Sequence, residues 1–202
     1  DLHLSIRRQR QMCIRDRKRT APEWMVEAAE VYLELNQAYP GDVGVLAALL
    51  LNVLTLAPGE AAFLRAGQLH AYLSGLGVEV MANSDNVLRG GLTTKHVDVP
   101  ELVKVLDFGT LENPRAEAVA SHGGVKFQLP VDSFAVRVHS LADGETLAID
   151  EDGPAIVLCT SGEVRGADGF VLSQGNGAWA PASEGEVELT AEGAAQVFVA
   201  TA

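Results

Sequence analysis

The chain of 202 residues is poor in cysteine, in positive charge and in long apolar runs, and each shortage removes a class of protein. Cys13 and Cys159 are the only cysteines, so neither a disulfide framework nor a CxxC zinc site can form, and the composition suits a reducing cytoplasm. Fifteen Lys and Arg against 27 Asp and Glu leave a net charge of −12. That balance argues against a general nucleic-acid-binding surface, although a few cations in a cleft still suffice for a phosphate pocket. The apolar run Val43–Ala57 is interrupted by Asn52 and is shorter than the roughly 20 residues of a membrane span. What remains is the composition of a globular chain, 48% hydrophobic and 21% charged, with enough length for one large domain or two small ones.

The little positive charge present is concentrated at one end. Residues 1–20 hold seven Lys or Arg and two Asp, a net of +5, which leaves eight basic and 25 acidic residues, −17, in residues 21–202. A basic arm of this kind suggests a membrane or nucleic-acid contact. Residues 1–20 nevertheless lack an initiator methionine, the apolar region of a signal peptide and a helical stripe, and read as vector or adaptor sequence translated in frame. They are expected to be non-native and are set aside from the fold.

Beyond the arm, Pro22–Ala38 has the apolar spacing of a helix, closed by Tyr39-Pro40-Gly41-Asp42. Leu49–Ala57 predicts a strand buried on both faces, followed by a turn at Pro58-Gly59-Glu60. From Gln128 onward the pattern is all-β: short strands at Phe134–His139, Ala155–Cys159, Val171-Leu172, Ala178-Trp179, Val187–Leu189 and Gln196–Ala200, separated by Gly- or Pro-bearing turns. That spacing predicts a sandwich or barrel. Trp24 and Trp179 are expected to be core or cap residues, and His96, His122 and His139 structural.

The chemistry is concentrated in His70–Lys95, where 26 residues hold one imidazole, two carboxylates, two cations, two side-chain amides and four glycines. Glycine permits tight turns and close approach to a ligand. Imidazole and carboxylate bind metals or move protons, and Arg and Lys hold phosphate or developing negative charge. These residues read as a site for a small anionic ligand, with room for a metal. Arg89 is the most telling cation, because it lies between apolar Val87-Leu88 and Gly90-Gly91 rather than in a charged surface run.

The same stretch resembles the signature of the zinc-dependent type I mannose-6-phosphate isomerases: His70-Ala71-Tyr72-Leu73-Ser74-Gly75, then Glu79-Val80-Met81-Ala82-Asn83-Ser84-Asp85-Asn86, then Arg89 through Lys95. Gly90 stands where alanine is common in that family, and Thr94 where proline is common. The resemblance implies a mainly β fold of cupin-type jelly rolls with a short helical segment near the N-terminus. It divides the chain into the arm 1–20, the end of a helical insertion over 21–41, the C-terminal part of a catalytic jelly roll over 42–110, and a smaller jelly roll over 111–202. By the same resemblance His70 matches a zinc ligand and Arg89 a catalytic residue beside the reacting sugar carbons; Lys95 fits an anchor for substrate phosphate, which needs a cation away from the reacting end. Glu79 is then a candidate for proton transfer, while Tyr72 and Asp85 are candidates for substrate binding. The family's other zinc ligands, a Gln-x-His pair and a glutamate, lie upstream of the matched region, so this chain is expected to be a fragment of a longer enzyme and inactive alone. The implied reaction is zinc-assisted aldose–ketose isomerisation of a phosphorylated hexose in the cytoplasm, feeding glycolysis or GDP-mannose synthesis, with no nucleic acid or membrane partner. The alternative is a cupin that binds a sugar phosphate or metal without turnover.

Overall fold

The computed structural model describes residues 21–83, 87–121, 123–150 and 153–202, which fall into two compact units. Among the described residues, the first comprises 21–55 together with Ala66–Leu73 and 87–109. Its long helix α1 spans Glu23–Ala38, with Pro22 at the N-cap, where a missing N–H costs nothing. After the Pro40-Gly41 turn come the single-turn helix α2, Gly44–Ala47, and a 3-10 turn over Ala48–Leu50. A further helix, α3, covers Val99–Val105 and was not anticipated from the sequence. Asp98 caps it by accepting from the N–H of Glu101 (3.0 Å), and Pro100 occupies its first turn. Leu35, Ala48 and Leu102 are the buried apolar residues of this unit.

The second unit is almost wholly antiparallel β-structure. A seven-stranded sheet has the order β1 (Ala61–Ala62), β2 (Arg115–Ser121), β3 (Gly124–Gln128), β4 (Ala135–Leu141), β11 (Ala195–Thr201), β6 (Ala155–Ser161) and β9 (Gly177–Ala180). A four-stranded sheet has the order β5 (Thr146–Ile149), β10 (Val187–Ala191), β7 (Glu163–Gly166) and β8 (Val171–Ser173). Period-two alternation sends one face of each strand inward. Ala155, Val157 and Cys159 from β6 meet Val197 and Val199 from β11, and the opposite sheet contributes Leu147, Ile149, Val164, Leu172 and Leu189. Burial of that set is the main stabilising term of this unit.

Most of the strand spacing read from Phe134 onward is realised, and two expectations fail. Leu49–Ala57 is not a strand: it continues from the 3-10 turn into extended chain, and Leu50 is 88% exposed. A strand buried on both faces needs hydrogen-bonded neighbours at its edges, and among the described residues none pairs with this run. The apolar character of the run was a true signal of burial potential, but the backbone pairing that would use it is not present. Trp24 and Trp179, expected as core or cap residues, do not lie in the core, being 66% and 61% exposed. Trp179 sits on edge strand β9 opposite Ile156, on the face turned away from the inter-sheet core. Among the described residues, no helix is long and apolar enough to cross a membrane.

Cys159 is wholly buried in the core, and its thiol donates to the carbonyls of Ser161 (3.3 Å) and Gly162 (3.4 Å). Burial raises its pKa and Glu163 adds to the rise, against the opposing hydrogen bond to Ser161. The raised pKa leaves the thiol protonated at neutral pH, and the protonated form is unreactive. In a Cys13→Ser background, labelling by a thiol reagent at neutral pH is therefore expected to run at the unfolding rate, and rapid labelling of the native protein contradicts this placement.

Candidate active site

Among its described positions, the stretch 70–95 contains no helix or strand, so its geometry depends on a few discrete anchors. One lies just ahead of His70. The carbonyl of Gly67 accepts from the N–H of Asp107 (2.9 Å), tying the chain to the residues that follow α3. Gly67 has φ 85°, and a Cβ there would stand 2.8 Å from the carbonyl oxygen of Val105, so only glycine fits.

A second anchor joins the His70 segment to the Arg89 segment. A Cβ built on Gly90 would lie 2.8 Å from Leu69 Cδ1 and 3.6 Å from Leu102 Cδ2, so these two side chains already occupy the space above that glycine. Leu69 immediately precedes His70 and Gly90 immediately follows Arg89. One apolar contact, backed by α3, thus brings the imidazole-bearing and guanidinium-bearing stretches side by side.

The third anchor holds the loop between Arg89 and Lys95. Asp42 uses both carboxylate oxygens: Oδ1 accepts from the N–H of Gly44 (2.7 Å) and Oδ2 from the N–H of Leu92 (3.1 Å). Gly91, at φ 120°, lies directly against Gly44, where a Cβ would stand 2.7 Å from the Gly44 Cα. Leu92 has φ 53°, the one positive φ at a non-glycine position among the described residues. In the sequence Asp42 was legible only as part of the turn that closes α1. The available signal was an aspartate two residues before a helix-starting glycine, a favoured place to accept from the first N–H groups.

Within this frame His70 is exposed, and its Nδ1 lies 2.9 Å from the carbonyl oxygen of Gln68. A carbonyl can only accept, so the neutral ring carries its proton on Nδ1 and keeps the lone pair on Nε2. A backbone carbonyl orienting one ring nitrogen is the arrangement in which the other nitrogen ligates a metal. The Tyr72 ring stands edge-on to the imidazole, centroids 6.0 Å apart at 65°. Arg89 is half-buried, and no carboxylate among the described residues forms a salt bridge with it. Lys95 is exposed, and its N–H donates to Thr93 Oγ1 (3.1 Å) in a tight local turn. His70, Tyr72, Arg89 and Lys95 all belong to the first unit, whereas exposed Glu79 belongs to the second. Asp85 and His122 lie outside the described residues. No group of three or more His, Cys, Asp or Glu among the described residues is placed to hold a metal ion, so His70 is at most one member of a ligand set.

Comparison with known proteins finds relatives of the chain as a whole. The chain is 42% identical over 164 residues to mannose-6-phosphate isomerase of Escherichia coli K12, covering 79% of this chain and 42% of that protein. The Salmonella typhimurium mannose-6-phosphate isomerase is 43% identical over 166 residues, with the same shares covered. A crystal structure of the Salmonella typhimurium enzyme, bound to its substrate fructose 6-phosphate and zinc, superposes with a TM-score of 0.72 at 39% identity over 86% of this chain and 45% of that one. This chain is homologous to the C-terminal portion of the mannose-6-phosphate isomerases. It spans less than half the length of the curated relatives it matches. No protein-family model matches it. Its mainly β architecture, with curled antiparallel sheets and a short helical segment near the N-terminus, is the cupin-like fold of these isomerases.

Two neighbouring glycines of the signature are expected to respond differently to alanine. Gly90 has no positive φ, and its close neighbours are the flexible ends of Leu69 and Leu102, so Gly90→Ala is expected to change stability by no more than about 1 kcal/mol. Gly91→Ala forces a Cβ into the Gly44 backbone at a φ that L residues avoid, and is expected to cost upwards of about 2 kcal/mol. Denaturant titration of the two variants checks both, and equal losses would contradict the tight Gly44–Gly91 contact.

Proposed function

We propose that this chain is part of a mannose-6-phosphate isomerase, interconverting mannose 6-phosphate and fructose 6-phosphate through an enediol. The observation that carries this reading is the orientation of His70. Its Nδ1 is committed to the Gln68 carbonyl and its Nε2 is left for a metal, while the Leu69–Gly90 contact holds Arg89 in the adjoining stretch. Identity of 42% to an isomerase of that name, and likeness to a structure carrying fructose 6-phosphate and zinc, point the same way.

In this reading His70 is one zinc ligand, and the remaining ligands come from residues outside those described. Zinc, when bound, supplies Lewis-acid polarisation of the sugar carbonyl. The chain's own groups do the rest. Isomerisation removes the proton from one of the two carbons C1 and C2 and returns it to the other, and the intermediate carries developing negative charge on oxygen. Arg89, half-buried and without a carboxylate partner among the described residues, is a fixed cation suited to that charge. Lys95, exposed six residues further on, suits the phosphate at the far end of the sugar. Glu79 is the candidate to carry the proton, and Tyr72 and Asp85 are candidates for contacts with the sugar. The reaction takes place in the cytoplasm, on a small phosphorylated hexose, with neither nucleic acid nor membrane as partner.

In a full-length protein carrying this segment, Arg89→Ala is expected to lower kcat on mannose 6-phosphate by about a hundredfold or more with an unchanged circular dichroism spectrum. His70→Ala is expected to lower bound zinc, read by metal analysis. Near-wild-type turnover in Arg89→Ala removes the role assigned to it. A full-length protein that binds fructose 6-phosphate but turns over neither sugar establishes the non-catalytic cupin instead.

A further inference from the structure

We infer that Asp42 is a positioning residue for the substrate loop: its carboxylate holds Leu92 in a left-handed conformation and so sets the directions of Arg89 and Lys95 on either side. The inference rests on the roles proposed above for those two cations.

The physical case begins with what the loop lacks. Gly90-Gly91-Leu92-Thr93-Thr94 has no strand or helix ladder, so nothing periodic fixes the direction in which the chain leaves Arg89 or arrives at Lys95. Leu92 has φ 53°, a region an L residue with a Cβ enters only against steric cost. Such a conformation persists when its surroundings over-determine it. Here the opposing force is a long-range hydrogen bond, 3.1 Å from the Leu92 N–H to Asp42 Oδ2, across 50 residues of sequence. The other oxygen of the same carboxylate is engaged by the Gly44 N–H at 2.7 Å. Gly44 is buried, and the Gly44 and Gly91 backbones are too close to admit a Cβ on either. The carboxylate is therefore caught between two backbone donors on abutting chains, and neither chain can withdraw without stranding an N–H.

Aspartate is the side chain this geometry demands. The two N–H donors meet different oxygens of the carboxylate, and hydrogen bonds to a charged acceptor are the stronger kind. Asparagine keeps the shape but offers one oxygen, and its NH2 then faces a backbone N–H. Without the second acceptor, Leu92 is free to relax to negative φ. The resulting turn of the backbone swings Arg89 and Lys95 relative to one another, though Asp42 itself contacts neither substrate nor metal. Displacements of about 1 Å in such groups cost on the order of a hundredfold in rate.

The test uses the zinc-loaded full-length enzyme that carries this segment, in four forms: wild type, Asp42→Asn, Asp42→Asn with Leu92→Gly, and Arg89→Ala. Asp42→Asn is expected to lower kcat/KM for mannose 6-phosphate by about tenfold to a hundredfold, through a lower kcat and a higher KM together, with bound zinc unchanged. Its Leu92 N–H is expected to lose hydrogen-exchange protection. Glycine at 92 adopts positive φ freely, so the double variant is expected to recover at least about threefold of the loss. Unchanged kcat and KM in Asp42→Asn, or a loss that disappears when rates are referred to folded protein, overturns the inference. Failure of Leu92→Gly to recover activity overturns the route through Leu92. Wild-type turnover in Arg89→Ala is a separate outcome and overturns the underlying assignment of Arg89; collapse there with an unaffected Asp42→Asn overturns only the role of Asp42.

Discussion

Chain that carries reactive groups without regular secondary structure must have its backbone directions set by something other than a repeating hydrogen-bond ladder. In the stretch 70–95 that constraint is met by contacts to partners distant in sequence. The Gly67 carbonyl is tied to Asp107, Leu69 packs over Gly90 with Leu102 behind it, and the Asp42 carboxylate spans Gly44 and Leu92. At each of the three, glycine leaves out a side chain: two backbones come together at Gly67 and at Gly44 and Gly91, and a leucine lies over Gly90. Add a Cβ at Gly67 or Gly91 and the backbone approach fails; remove the carboxylate and the left-handed Leu92 loses its opposing force.

The β-rich unit solves the same problem by repetition. In β6 and β11, every second residue enters the space between the sheets, and antiparallel pairing from Ala195↔Leu141 to Thr201↔Ala135 fixes the register. A slip by one residue would expose Val197 and Val199, so the core and the register specify one another. No repeating ladder of that kind runs through the described residues of the stretch 70–95, where the anchors are isolated contacts.

This difference explains what could be read directly. Strands β4, β6, β8, β9, β10 and β11 were legible because alternation and Gly-bearing turns are local properties of neighbouring residues, whereas β5 and β7 were not read. Helix α1 was legible for the same reason. The run Leu49–Ala57 misled because apolarity reports that a segment can be buried, whereas strand formation also needs a partner edge, and no composition rule supplies one. Helix α3 escaped notice because its evidence is a cap and a proline in a short helix, Asp98 and Pro100, rather than a sustained stripe.

For the candidate site, the sequence by itself named the candidates: an imidazole, a guanidinium, an ammonium and a carboxylate in an ordered signature that resembles that of the mannose-6-phosphate isomerases. Residue type alone dictates which groups can ligate, donate or carry charge, and no fold alters that inventory. Tertiary structure decided the rest. The proton on His70 Nδ1 follows from where the Gln68 carbonyl points, and the meeting of the His70 and Arg89 stretches follows from the packing of Leu69 on Gly90. The importance of Asp42 follows from a hydrogen bond across 50 residues. Such couplings are invisible along the chain because their energy resides in pairs whose proximity is created only when the whole unit closes.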